Sequence, residues 1–293
     1  MPAAGAVLVD GLGWPECPRW QDGVFYFTDM HQRTVFRVDE AGGVEAVLTL
    51  SQTPAGMGWL PDGRLVIVLM HERKLVTWAG GTVTDYADLT GLLDHDANDL
   101  SVGPDGRGYV TTLGGIWEAM SGAGDPPPAP IALVSPDGSV RSATRDAITP
   151  NGVIRTSTGR LVIAEPWANR VSSYAIGDDG SLADKRVLIQ LAADAMPDGI
   201  CMDAAGHCWI ASPSTSEVIR AAPDGTVAER IAFEDDGAIP VACMLGGPDG
   251  NRLYVCVADR EAPPSREEAP AVGHPLRGRI DTFVVDAVHD GWP

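Results

Sequence analysis

The sequence predicts an all-β fold: a six-bladed β-propeller of four-stranded antiparallel blades that occupies residues 1–293 as a single domain. Six times along the chain, a short apolar strand runs into a tight turn ending in glycine and a second apolar strand leaves it. The turn glycines are Gly23, Gly63, Gly106, Gly159, Gly206 and Gly250, spaced 40, 43, 53, 47 and 44 residues apart. Patterns of helical period are almost absent. A strand-rich repeat of this period, with about 49 residues of the 293-residue chain for each of six blades, is typical of a propeller.

The strands of each blade follow in a constant order. The strands that leave the turns are rich in β-branched and aromatic residues. In chain order they are 24–28 (VFYFT), 64–69 (RLVIVL), 108–112 (GYVTT), 160–165 (RLVIAE), 207–212 (HCWIAS) and 252–257 (RLYVCV). A third strand commonly follows, as at 34–39, 74–79, 170–176 and 217–222, and an outer strand comes after it, as at 44–50 and 227–233. An inner, a second, a third and an outer strand make up one four-stranded blade.

The two ends of the chain supply one strand each. Residues 6–12 (AVLVDGL) form a strand with no earlier inner strand, and residues 279–288 (RIDTFVVDAV) form the last strand. We expect these two strands to pair and close the ring, which removes exposed sheet edges. A Gly/Pro loop at 121–130 and a charged Pro-rich loop at 260–277 interrupt the repeat. Such loops are either binding elements or surface insertions.

Charge and composition exclude several classes of binding partner. The formal net charge of -19 argues against nucleic acid and against anionic membrane surfaces, since both attract clustered Lys and Arg. Five cysteines without a C-x-x-C spacing indicate neither a disulfide framework nor a zinc knuckle. The N-terminus has no basic region, and the chain has no long apolar run. We therefore expect a cytoplasmic protein, a monomer or weak homodimer, whose partner is a small molecule.

Six equivalent positions precede the turn glycines by eight residues, or by seven in the first repeat; we call them the phase positions. They are Glu16, Ala55, Asn98, Asn151, Asp198 and Ala242. Equivalent positions of a propeller point to the mouth of its central channel, and four of these six carry a side-chain oxygen. An oxygen-only set suits a hard dication such as Ca²⁺, Mg²⁺ or Mn²⁺. An open catalytic metal, a closed metal that pins the blades, and a metal-free polar channel all remain possible at this point.

Five strings spread over nearly the whole chain carry a family resemblance. They are 15–20 (PECPRW), 98–112 (NDLSVGPDGRGYVTT), 150–165 (PNGVIRTSTGRLVIAE), 196–211 (MPDGICMDAAGHCWIA) and 241–255 (VACMLGGPDGNRLYV). Together they resemble the senescence marker protein/gluconolactonase (regucalcin) family of six-bladed propellers. The resemblance implies one divalent metal on Glu16, Asn151 and Asp198, with Ca²⁺ as the first candidate and Zn²⁺, Mg²⁺ or Mn²⁺ as alternatives. It also implies substrate or metal contact by Asn98.

The activity that the resemblance implies is hydrolysis of a lactone or related ester. The metal would polarise the carbonyl, and Asp198 as general base, or a metal-bound hydroxide, would deliver the attacking oxygen. Two other functions are also compatible with this scaffold. One is an arylesterase or organophosphate hydrolase on the same scaffold, and the other is a non-catalytic propeller that binds metal or a protein partner.

One departure from the family concerns the substrate. Sugar-lactone members generally carry Arg two residues before the Asn of this motif, whereas this chain carries Asp96, which cannot supply the donors of an Arg. Met57, Trp117 and Trp167 predict a more apolar rim. We therefore expect a substrate more hydrophobic than a sugar lactone, contacted by these three residues together with Asn98, His95 and Asp96. His31 and His71 hold equivalent places in their repeats, which indicates a structural role.

Overall fold

The computed structural model describes residues 5–39, 42–235, 237–261 and 277–290. Within them, 24 strands form six four-stranded sheets, one for each sequence repeat. These are the six antiparallel blades of a β-propeller, so the predicted fold class is confirmed. Blades are numbered here in chain order, and the chain divides into two compact units, residues 1–54 with 198–293 and residues 55–197.

The first unit contains blades 1, 5 and 6. Blade 1 consists of β2 (Pro15–Gln21), β3 (Val24–Asp29), β4 (Thr34–Val38) and β5 (Val44–Thr49). Blade 5 consists of β18 (Ile200–Met202), β19 (Cys208–Ser212), β20 (Glu217–Ala221) and β21 (Val227–Ala232). Blade 6 consists of β22 (Ala238–Gly246), β23 (Arg252–Asp259), β24 (Gly278–Val284) and β1 (Ala6–Leu12).

The second unit contains blades 2, 3 and 4. Blade 2 consists of β6 (Pro54–Trp59), β7 (Leu65–Leu69), β8 (Lys74–Ala79) and β9 (Thr82–Asp88). Blade 3 consists of β10 (Ala97–Val102), β11 (Gly108–Thr112), β12 (Ala129–Val134) and β13 (Val140–Ala147). Blade 4 consists of β14 (Val153–Arg155), β15 (Arg160–Glu165), β16 (Arg170–Ile176) and β17 (Leu182–Gln190). A short helix α1 (Ile116–Met120) and a 3₁₀ turn at Pro166–Ala168 complete this unit.

The strands from the two chain ends pair as the sequence predicts. β1 runs antiparallel to β24, with Ala6 opposite Thr282 and Leu12 opposite Gly278. The outer strand of blade 6 therefore comes from the beginning of the chain. Most of the Pro-rich loop, residues 262–276, lies outside the described residues. Among the described residues, no helix has the length and apolar character that a membrane crossing requires.

The inner strands of neighbouring blades approach one another closely within each unit. A Cβ added to Gly56 on β6 would lie 2.3 Å from the Leu100 nitrogen on β10. A Cβ on Gly199, just before β18, would lie 2.4 Å from the Ala242 Cβ on β22. The Gly199 N–H also donates a hydrogen bond to the Val241 oxygen at 2.8 Å. Glycine stands at these two positions because the neighbouring backbone leaves no room for a side chain.

We expect Gly56→Ala to lower the free energy of unfolding by about 1–3 kcal/mol, because the added methyl group must displace backbone of the next blade. Gly91→Ala is the matched control, since an added Cβ there meets nothing within 4 Å. Urea unfolding of both variants measures the difference. Equal midpoints for the two variants would contradict the close approach of the inner strands.

Candidate metal and substrate site

The phase positions fall where the inner strands begin. Ala55, Glu16 and Asn98 are each the second residue of their strand, and Asn151 and Asp198 lie two residues before β14 and β18. Ala242 lies inside β22, which is longer than the other inner strands. Five of the six repeats therefore present this position within two residues of the start of the inner strand, as the predicted site requires.

Blade 1 carries Glu16 at a break in its inner strand. The pairing of β2 with β3 shifts register between Glu16 and Arg19, and Cys17 adopts a positive φ of 48°. The backbone N–H of Cys17 donates to Glu16 Oε2 at 2.9 Å. This hydrogen bond orients the half-buried carboxylate. Residues other than glycine adopt this left-handed conformation with strain.

Blade 5 carries Asp198, whose backbone N–H donates to the Ala211 oxygen at 2.9 Å. The half-buried carboxylates of Asp198 and Glu16 both affect the pKa of the Cys256 thiol. Burial raises the pKa of Cys256 well above its ordinary value, and the charges of Glu16 and Asp198 raise it further. Cys256 pairs with Ala242, the phase position of blade 6. Two predicted ligands of the first unit thus bring negative charge to the phase position of the blade between them.

The two amide residues of the second unit are in direct contact. Asn98 Nδ2 donates to Asn151 Oδ1 at 2.6 Å. Asn98 is 9% exposed and Asn151 is half-buried. Because its nitrogen faces Asn151, the Asn98 side chain presents its oxygen in another direction. The contact orients both amides.

Asp96 is paired with a histidine that sequence reasoning assigned to a structural role. Asp96 Oδ2 lies 3.3 Å from His71 Nδ1, and about a quarter of each side chain is exposed. The carbonyl of Met70 also accepts the N–H of Ala97 at 3.1 Å, which places His71 beside the start of β10. His95 is half-buried in the same segment. The acidic residue that replaces the expected Arg is therefore accompanied by an imidazole.

Two tryptophans lie at the same end of blades 3 and 4 as Asn98 and Asn151. Trp117 is half-buried in α1. The segment between β11 and α1 is held beside Asp96 by a hydrogen bond from the Leu113 N–H to the Asp96 carbonyl oxygen at 3.1 Å. Trp167 is half-buried in the 3₁₀ turn, and its Nε1–H donates to Asp125 Oδ1 at 3.0 Å. The Gly/Pro loop that contains Asp125 is thereby fastened to Trp167.

Met57 differs from the prediction of an exposed rim residue. Its side chain is fully buried, with 0% exposed. It therefore belongs to the packed interior rather than to an exposed rim. Periodicity alone does not distinguish such a residue from one that lines a pocket.

A buried carboxylate anchors the segment that leads into Asn151. Glu165 is fully buried and accepts hydrogen bonds from the Ile148 N–H at 2.7 Å, from Arg170 Nε at 2.7 Å and from Lys185 Nζ at 2.9 Å. Ser172 Oγ donates to it as well. Burial opposes ionisation, but these hydrogen bonds outweigh it and hold the pKa of Glu165 below its ordinary value. Sequence reasoning did not identify this network, which joins residues from three strands and a loop.

The carboxylates of Glu16 and Asp198 and the amides of Asn98 and Asn151 fit a hard divalent cation, since carboxylate and amide oxygens are its preferred ligands. Over residues 5–39, 42–235, 237–261 and 277–290, no three His, Cys, Asp or Glu side chains lie close enough to hold a metal ion. The predicted set contains only two carboxylates, and its third member is an amide. It therefore does not depend on a cluster of that kind.

Comparison with known proteins gives consistent matches over most of the chain. The profile of the family described as SMP-30/Gluconolactonase/LRE-like region matches residues 14–259. Pentonolactonase XacC of Haloferax volcanii is 26% identical over 285 residues, which cover 95% of this chain and 92% of that protein. The calcium-binding protein regucalcin of Agrobacterium tumefaciens has a similar structure (TM-score 0.78, 21% identity, 100% and 97% of the chains). So does a gluconolactonase of Xanthomonas campestris (TM-score 0.74, 21% identity, 96% and 89%).

The Glu165 network predicts a specific pH dependence of stability. A carboxylate whose pKa is lowered on folding stabilises the fold above its unfolded pKa, and this contribution is lost as the pH falls through the folded value. We expect Glu165→Gln to cost roughly 3 kcal/mol at pH 7, since it removes the negative charge that pairs with Arg170 and Lys185. The deficit should shrink when the pH falls below the ordinary value of 4.5.

Urea unfolding between pH 7 and pH 3 measures this deficit. Glu45→Gln is the control, because Glu45 forms an exposed ion pair with Arg37 and such pairs contribute little. A deficit for Glu165→Gln that stays constant with pH would contradict a pKa of Glu165 that is lowered on folding.

Proposed function

Because the chain belongs to the SMP-30/gluconolactonase/LRE-like family, we propose that it is a metal-dependent hydrolase that opens a lactone or related ester. The observation that carries this proposal is the recurrence of oxygen-bearing side chains at the start of the inner strands. Similar proteins named pentonolactonase and gluconolactonase support the reaction class. The substrate is accordingly a small molecule.

Glu16, Asn151 and Asp198 would hold the cation. The orientation of the Glu16 carboxylate by Cys17 N–H and of the Asn151 amide by Asn98 supports this assignment. Ca²⁺ is the first candidate, because a structurally similar protein is described as calcium-binding; Zn²⁺, Mg²⁺ and Mn²⁺ are alternatives. When bound, such a cation polarises a carbonyl oxygen and lowers the pKa of water.

Asp198 is the proposed general base. Its carboxylate accepts a proton from the attacking water, and the water oxygen bonds to the lactone carbonyl carbon. The ring C–O bond then breaks, and the alkoxide takes up the proton to give a hydroxy acid. Asn98 contacts the substrate through the amide oxygen that does not face Asn151. Its orientation is fixed before the substrate binds, which lowers the entropic cost of binding.

The proposed substrate is more hydrophobic than a sugar lactone. Asp96 and His71 form a pair where sugar-lactone members carry Arg, so the fixed fork of guanidinium donors is missing. Trp117 and Trp167 supply aromatic surface at this end of blades 3 and 4. The hydrogen bond to Asp125 fixes the indole of Trp167, so it presents a rigid face to an apolar substrate.

Asp198→Asn tests the reaction class. We expect kcat on the preferred lactone to fall by about 10²–10⁴-fold through loss of the general base, while the circular dichroism spectrum is retained. Chelator-stripped protein should be inactive and should recover with one of Ca²⁺, Mg²⁺, Mn²⁺ or Zn²⁺. The panel contains gluconolactone, an alkyl lactone, dihydrocoumarin, phenyl acetate and an organophosphate triester.

Asp94→Asn is the control for this experiment, since Asp94 is an exposed acid outside the predicted set of site residues. Turnover by Asp198→Asn equal to that of Asp94→Asn would refute the role of Asp198. Turnover of only the triester or phenyl acetate would favour the organophosphate hydrolase or arylesterase, and absence of turnover on every substrate would favour a non-catalytic propeller.

Trp167→Ala tests the substrate class separately. We expect kcat/KM on dihydrocoumarin to fall by about tenfold, the range for lost apolar contact, and that on gluconolactone to change little. Trp167→Phe keeps an aromatic face without the N–H donor, so its effect should be intermediate. An equal loss on both substrates would contradict a hydrophobic specificity.

A further inference from the structure

Two buried threonines occupy the same place in blades 1 and 3, and each binds the backbone of a predicted metal ligand. Thr28 and Thr111 stand five residues after the turn glycine of their blades, and both are 0% exposed. Thr28 Oγ1 donates to the carbonyl of Glu16 at 3.1 Å. Thr111 Oγ1 donates to the carbonyl of Asn151 in the next blade at 2.7 Å.

The contact at Asn151 is reinforced by an adjacent carboxylate. The Asp99 N–H donates to Thr111 Oγ1 at 3.0 Å, and Asp99 Oδ2 accepts the N–H of Val153 at 3.1 Å. Asp99 is 7% exposed, and its Oδ1 accepts the N–H of Leu100 at 2.8 Å. The peptide groups on both sides of Gly152 are therefore fixed from blade 3, one through Thr111 and one through Asp99.

The hydroxyl group is not a general requirement of the repeat. Blades 2, 4 and 5 carry Val68, Ala164 and Ala211 at the same position. In blades 4 and 5, the backbone carbonyls of Ala164 and Ala211 accept the N–H of Asn151 and Asp198 instead. The strand forms without a hydroxyl, so the repeat itself does not require threonine at positions 28 and 111.

We propose that Thr28 and Thr111 are positioning residues of the cation site, and that Asp99 assists Thr111. Each hydroxyl fixes the peptide plane next to a ligand and so fixes the direction in which the ligand's side chain leaves the backbone. β-Branched side chains suit this task because their χ1 is restricted. This inference rests on the proposed metal-dependent function.

Calcium titration of the chelator-stripped, full-length protein by calorimetry tests the proposal. We expect Thr111→Val, which keeps the shape but removes the hydroxyl, to weaken Ca²⁺ binding by about 10–100-fold, as for other partners of metal ligands. Thr111→Ser should restore most of the affinity. Thr28→Val should weaken binding in the same direction, by a smaller factor because its hydrogen bond is longer.

Thr34→Val is the matched control. Thr34 is 4% exposed, and its Oγ1 donates to the Gln32 carbonyl at 2.8 Å, but it contacts no predicted ligand. We expect this variant to lose thermal stability without metal to a similar extent as Thr111→Val and to keep the wild-type Ca²⁺ affinity. Equal Ca²⁺ affinities for Thr111→Val and Thr34→Val would overturn the proposal.

Asn151→Ala separates this inference from the function on which it rests. If Asn151→Ala abolishes Ca²⁺ binding and Thr111→Val binds like the wild type, only the positioning role fails. If the wild type does not bind Ca²⁺, or if Asn151→Ala binds like the wild type, the assigned cation site fails and the positioning role fails with it.

Discussion

The close approach of inner strands within each unit is the constraint on which the candidate site depends. At Gly56 and Gly199 the neighbouring inner strand is so close that an added Cβ would collide with it. Direct backbone contact therefore fixes these inner strands relative to each other. Where blade 3 meets blade 4, Asp99 and Thr111 replace that contact by hydrogen bonds. Side chains at the start of these strands are therefore held by a rigid backbone, as metal ligands require.

Buried polar groups whose hydrogen bonds are all formed also hold the segments that carry candidate site residues. Glu165 satisfies both carboxylate oxygens with Arg170, Lys185, Ser172 and the Ile148 N–H. Such a network is stabilising only when every member has its partner, so loss of one partner affects the whole network. It lies at the end of β15, between the segment of Asn151 and the turn of Trp167. The stability of blade 4 and the placement of its candidate functional residues therefore depend on the same group.

The sequence predicted the blades well, because each is a local unit with period-2 strands and a glycine turn. All five cysteines lie among the described residues, where each is buried and none belongs to a disulfide bond. Sequence reasoning located the phase positions but could not find the side chains that support the predicted ligands. Thr111 and Asn151 are separated by 40 residues, and Asp125 and Trp167 by 42. Contacts between blades leave no periodic signal, and for the same reason Met57 was assigned to the rim rather than the interior.

The pairing of β1 with β24 has a consequence for biosynthesis. The hydrogen bond from Thr282 to the Ala6 carbonyl joins residues 276 apart in sequence. During translation, the first strand emerges long before its partner and must wait with an unpaired edge that other chains can capture. Blade 6 can be completed only after β24 has left the ribosome, and such non-local pairing is intrinsically slow.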